Sequence, residues 1–194
     1  MKNQKEKFNS LLVSVIILAL IMVTSACGKT SDTDQTQVSK VSQTSPKVDI
    51  YAAALTGDLD AIRQHIKAGT DLNKKDAYGS TPLVIAITFG KKDVAIALIE
   101  AGADVNLLNN DGSTPLHSAV FFCRKEVVQS LLDHEVDKSV VNNYGSTALQ
   151  SIEVPFRDVK PIYDQLSRDL GPLGLKLDYV RIESTRPQIA EMLR

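Results

Sequence analysis

Tryptophan is absent from this 194-residue chain, and cysteine occurs only at Cys27 and Cys123. Two distant thiols cannot staple a small scaffold, so stability must come from packed apolar surface rather than a disulfide framework. Charge of one sign is also lacking. The 22 basic and 23 acidic residues leave a net charge of −1, without the basic footprint of a nucleic-acid-binding protein. Glycine and proline, at ten and seven, are too few for a collagenous or low-complexity chain. The three histidines, His65, His117 and His134, show no metal-ligand spacing. No Ser–His–Asp pattern or paired carboxylates stand out either, so no enzyme, metal or cofactor is expected. The segment "CGKT" at 27–30 lacks the first glycine of a P-loop.

Long apolar runs are confined to one place. Three lysines in "MKNQKEKFNS" precede "LLVSVIILALIMV", and "TSAC" follows. Leu11 to Ala26 is 16 residues, short of the roughly 20 that span a bilayer. A basic start, a short apolar core and small residues before a cut describe an export signal over 1–26. Ser25 and Ala26 before Cys27 resemble the lipobox of bacterial lipoproteins, although Thr24 stands where leucine is usual. That resemblance implies acylation of Cys27 and a bacterial envelope protein on a lipid anchor, facing the periplasm or the cell exterior. An uncleaved anchor, or ordinary cleavage leaving a free thiol, is the alternative. Residues 27–48, rich in Ser, Thr, Asp and Gln, cannot bury enough to order themselves and are expected to form a tether.

Beyond the tether the sequence repeats. "YGSTPL" begins at Tyr78, "DGSTPL" at Asp111 and "YGSTAL" at Tyr144, a step of 33 each time. Ala53, Ala86 and Ala119 keep the same phase, as do Asp71, Asp104 and Asp137. Each unit predicts a tight turn at Gly79, Gly112 or Gly145 and a helix opened by Thr81–Pro82 or Thr114–Pro115. A second amphipathic helix follows, as in "DVAIALIEAG". No unit can bury its own apolar face, so neighbours must stack. A 33-residue period with a T-P-L-H element resembles the ankyrin repeat, from about residue 49 to 150. The expected fold is an all-α ankyrin-repeat solenoid of about four helix-turn-helix units.

The fourth unit is irregular. Val127 aligns on Ile189, a step of 62, so 62 − 33 = 29 residues look inserted between its two helices. Within 151–194, Val159, Ile162, Tyr163, Leu166 and Leu170 share one helical face, and Gly171 and Pro172 stop it. "LGLKLDY" reads as extended, Thr185 with Gln188 as a capping box, and "PQIAEMLR" as the delayed second helix. The segment is expected to fold back as a C-terminal cap. Cys123 and Glu135 replace two glycines usual in the family, which should loosen the third unit. Cys123 is expected to be a packed thiol, His117 structural, and His65 and His134 solvated.

The resemblance also implies where a protein partner would bind: the turn tips and the exposed side of each first helix. The tips carry Tyr78, Leu108, Asp111, Val141 and Tyr144, and the helix faces carry Phe89, Phe121 and Phe122. Aromatic residues are enriched at interfaces, so an unidentified protein is the expected partner. The C-terminal segment could instead cover the three phenylalanines. A structural or self-associating envelope lipoprotein is the rival to a partner-binding one.

Overall fold

The computed structural model describes residues 46–194. The expected export signal, Cys27 and nearly all of the tether lie outside the described residues. Among the described residues there are nine α-helices, one 3-10 turn and no strand. The first three units pair α1 (Ile50–Thr56) with α2 (Leu59–Lys67), α3 (Pro82–Thr88) with α4 (Lys92–Glu100), and α5 (Pro115–Phe121) with α6 (Lys125–Leu132). The fourth pairs α7 (Ala148–Glu153) with α9 (Tyr179–Leu193), and α8 (Phe156–Leu170) lies between them in the chain. First helices pack on first helices and second helices on second helices along the stack. No helix among the described residues is long and apolar enough to cross a membrane.

Local chemistry starts each helix where the repeat predicts. The Thr81 and Thr114 hydroxyls accept from the N–H groups of Val84 and His117, and prolines occupy the first turns. Thr147 caps α7 likewise, with Gln150 reaching back to the Thr147 N–H at 2.8 Å. The stack then buries one continuous apolar core. Ala53, Ala86 and Ala119 have no exposed surface, and small side chains there let successive helices approach. Leu98, Leu131 and Leu193 fill one register of the second helices. The first unit puts His65 at that position instead. It is 7% exposed, not solvated as expected, because its ring bonds Thr70 Oγ1 at 3.0 Å and the Val48 carbonyl at 2.7 Å. His134 is exposed, as expected.

Two positions keep a glycine conformation without glycine. Gly90 and Gly102 have φ of 67° and 86°, and one period later Cys123 and Glu135 have 52° and 55°. The stack imposes the left-handed turn even where a Cβ makes it costly, about 1 kcal/mol each.

The C-terminal segment departs from expectation in three ways. Val159, Ile162, Tyr163 and Leu166 are buried on one face of α8 as predicted, and Gly171 ends it. Gly171–Leu173 is a 3-10 turn, and residues 175–178 form no strand. Thr185 caps nothing: α9 already starts at Tyr179, where the Asp178 carboxylate accepts from the Arg181 N–H. The second helix of the fourth unit therefore begins well before "PQIAEMLR", and Pro187 lies inside it.

Candidate interaction surface

The turn tips are built from backbone-directed side chains. Asp76 Oδ1 accepts from the N–H groups of Tyr78 and Ser80, both at 2.8 Å. One period on, Asn109 accepts from Asp111 and Ser113; two periods on, Asn142 accepts from Tyr144 and Ser146. Each is an Asx turn that fixes its own loop. Neighbouring tips are also joined. The Asn110 side chain fills the space over Gly79, where a Cβ would lie 2.2 Å from its Oδ1, and Asn143 does the same over Gly112 at 2.7 Å. The Asn143 N–H donates to the Asp111 carbonyl at 2.9 Å. Lower in the loops, Asn73 and Asn106 accept from the N–H groups of Asp104 and Asp137, both at 2.8 Å.

This row of locked loops presents apolar side chains to water. Tyr78 is 46% exposed, Leu108 42% and Val141 57%. Leu108 and Val141 are one period apart, so they stand side by side on adjacent tips. Asp111 and Tyr144 are half-buried. The Tyr144 hydroxyl bonds the Asp111 carboxylate, and burial together with that negative charge pushes the phenol up to about 12. These two therefore tie the second tip to the third.

The helix-face aromatics are arranged otherwise than expected. Phe122 is only 8% exposed, and Phe121 is half-buried against the core. For Phe121 the cause is α8, which sets the Tyr163 ring 4.7 Å from that of Phe121 and donates the Tyr163 hydroxyl to the Phe121 carbonyl at 2.6 Å. Phe121 and Phe122 meet edge to face at 5.1 Å, and the Arg124 guanidinium lies 5.8 Å from the Phe122 ring centre. Phe156 and Tyr179 extend the cluster around Tyr163, at 5.9 and 6.4 Å. Phe121 is thus held by the chain's own C-terminal segment, and Phe122 is buried beside it rather than displayed. Phe89, one period before Phe122, is half-buried at the end of α3.

His117 is spent on structure. Its Nδ1 accepts from the Thr114 N–H at 3.3 Å and lies 2.9 Å from the Thr114 hydroxyl; its Nε2 reaches the Ser146 carbonyl at 3.1 Å. With Nδ1 accepting, the proton belongs on Nε2. Burial lowers its pKa, while the bond to Ser146 opposes that shift. The ring thus clips α5 to the next tip.

The repeat, the Thr-Pro helix starts and the histidine clip converge on one family. The ankyrin-repeat family model matches residues 50–142 in three copies. The first three stacked units are ankyrin repeats. No curated protein matches the chain. Ankyrin repeats generally mediate protein–protein interaction, and their outward-facing tips here carry three exposed large apolar side chains. No group of His, Cys, Asp or Glu among the described residues could hold a metal ion.

Sequence reasoning missed the arginines. Lys91 and Arg124 are one period apart, and Arg186 stands at the same register after the step of 62. Arg124 donates through Nε to the Ile87 carbonyl at 3.1 Å and through Nη2 to that of Thr88 at 2.9 Å, capping α3 of the preceding unit. Arg186 does not cap α5 in the same way, because Tyr163 holds the Phe121 carbonyl. It turns to the end of its own unit, donating to the carbonyls of Ile152 and Val154 and reaching Tyr163 Oη at 3.4 Å. A cation recurring at one register was the available signal.

Proposed function

We propose that this chain is a membrane-tethered, extracytoplasmic ankyrin-repeat protein that binds another protein through its turn tips. The observation that carries the reading is the exposed row Tyr78, Leu108 and Val141 on loops already fixed by Asx turns. Rigid loops lose little freedom on docking, so little of the burial gain is spent on ordering them. Each such side chain, already about half covered, contributes on the order of 1 kcal/mol when a partner buries the rest. Asp111 and Tyr144 frame the row as a polar rim, and Phe89 lies at its helix side. The lipobox-like "TSAC" supports anchoring through Cys27 in a bacterial envelope. The role is that of a scaffold, with no catalytic step assigned.

A photo-crosslinking residue at Leu108, in cells expressing the full chain, tests the partner. One foreign protein captured, and lost on Val141→Asp with unchanged thermal stability, is the expected result. Crosslinks only between copies of this chain would overturn it in favour of self-association. That second reading draws on Gly145, the only tip glycine whose open side no neighbouring residue fills. Anchoring is tested separately, by metabolic labelling with an alkyne fatty acid: the label should vanish in Cys27→Ser.

A further inference from the structure

We propose that the cleft between Arg124 and Arg181 binds a phosphate-class oxyanion. The cleft lies at the turns between first and second helices, away from the tip row. Its volume is about 200 Å³, and Ile87, Gly90, Lys92, Arg124, Glu126, Val127 and Arg181 line it. That is smaller than the ~300 Å³ at which drug-sized pockets begin, and it suits a small ion or headgroup.

The cations of this cleft are unusually short of partners. Arg181 makes no side-chain hydrogen bond or ion pair among the described residues, and it is exposed at the rim. Arg124 is held in place by two backbone carbonyls and lies over the Phe122 ring; among the described residues no carboxylate pairs with it and its Nη1 makes no hydrogen bond. Burial, and after it repulsion from the Arg181 guanidinium, holds the Arg124 pKa below its ordinary value. Lys92 has only the long, exposed contact to Asp93 at 3.7 Å. Glu126 is the single carboxylate lining the cleft, so three positive groups face one negative group. A third guanidinium, Arg186, adds to the field: it, Arg124 and Arg181 all act on the nearby Cys123 thiol.

The backbone around the cleft has the same polarity. α4 and α6 start at its edge, and Lys91 and Arg124 supply no side-chain cap to either. In α1, α2, α3, α5, α7 and α9 an Asp or Thr oxygen serves the first turn. An oxyanion between Arg124 and Arg181 would neutralise the pair through charge-assisted bonds. Gly90 shapes the cleft, since a Cβ there would lie 2.9 Å from the Arg124 Cζ.

The test titrates the full chain with inorganic phosphate against sodium chloride at matched ionic strength and pH, following the thermal midpoint. A saturable rise in phosphate alone is expected, as for any ligand that binds only the folded state. Arg181→Gln should weaken the apparent affinity by roughly tenfold or more without lowering the phosphate-free midpoint, because its side chain supports nothing in the fold and its charge opposes that of Arg124. Glu126→Gln should strengthen it. Equal midpoints in phosphate and chloride, or an Arg181→Gln variant that responds like the parent, would overturn the proposal. A second arm replaces phosphate by glycerophosphoglycerol, an anionic-lipid headgroup without its chains. Binding as tight as that of phosphate would make a membrane headgroup the source, and binding of phosphate alone would make it a soluble anion.

Discussion

His117 shows how one side chain can be both legible and consequential. Its neutral ring is needed to accept from Thr114 and reach Ser146. Because burial lowers its pKa from 6.5, the unfolded chain binds the proton first as pH falls. Stability is full above about 6.5, declines below it, and stops declining once the folded ring is protonated as well. Urea midpoints measured from pH 7.5 down to 5 should fall, and His117→Gln should flatten that part of the profile. Cys123 yields a different expectation. Burial raises its thiol to about 11 despite the three nearby arginines. In a Cys27→Ser background at pH 8, alkylation should be slow in the folded chain and fast in urea, since the thiolate is the reactive form. Equal rates would mean that the thiol is not held in the core.

Among elements, the two borrowed glycine turns separate what the repeat dictates from what the sequence spells. Glu135 is exposed with φ of 55°, so Glu135→Gly should stabilise by about 1 kcal/mol, read as a shift in the urea midpoint. Gly79→Ala should do the reverse by more than 1 kcal/mol, because the new Cβ combines φ of 77° with a clash against Asn110. The regular units were legible because period, cap and turn agree in each: Thr81 and Thr114 cap where expected, and Gly79 and Gly112 turn where expected. Beyond residue 150 local signals misled. Thr185 and Gln188 had the right spacing for a cap, but Asp178 starts the helix first, and packing carries it through Pro187. His65 was misjudged for a similar reason. Its buried role depends on the Val48 carbonyl, 17 residues away, which no local pattern reveals.

On the scale of the whole molecule, the surface was only half legible. The family pattern placed Tyr78 and Leu108 on open tips, where they stand, but it also placed Phe121 and Phe122 on a free face, whereas α8 packs on Phe121 and Phe122 is buried beside it. Which face an inserted helix covers depends on contacts between residues 42 positions apart, such as Tyr163 with Phe121. Arg186 joins that helix to the fourth unit. With 6% exposure and no carboxylate partner among the described residues, its charge is carried by carbonyls and a phenol. Arg186→Met should therefore cost about 2–4 kcal/mol in a urea titration by stranding those acceptors. An effect under 0.5 kcal/mol would show that the junction is not set by this residue.

The detour through α8 also orders events in time. On a ribosome the first three units have both helices in hand before the residues that complete the fourth have been made. α7 must then wait for α9, with residues 154–178 between them where residues 122–124 join the two helices of the third unit, so closing the last unit costs more chain entropy. Until α9 arrives, the newborn stack has an unfinished apolar end, and it is at that end that a nascent chain of this protein needs protection from its neighbours.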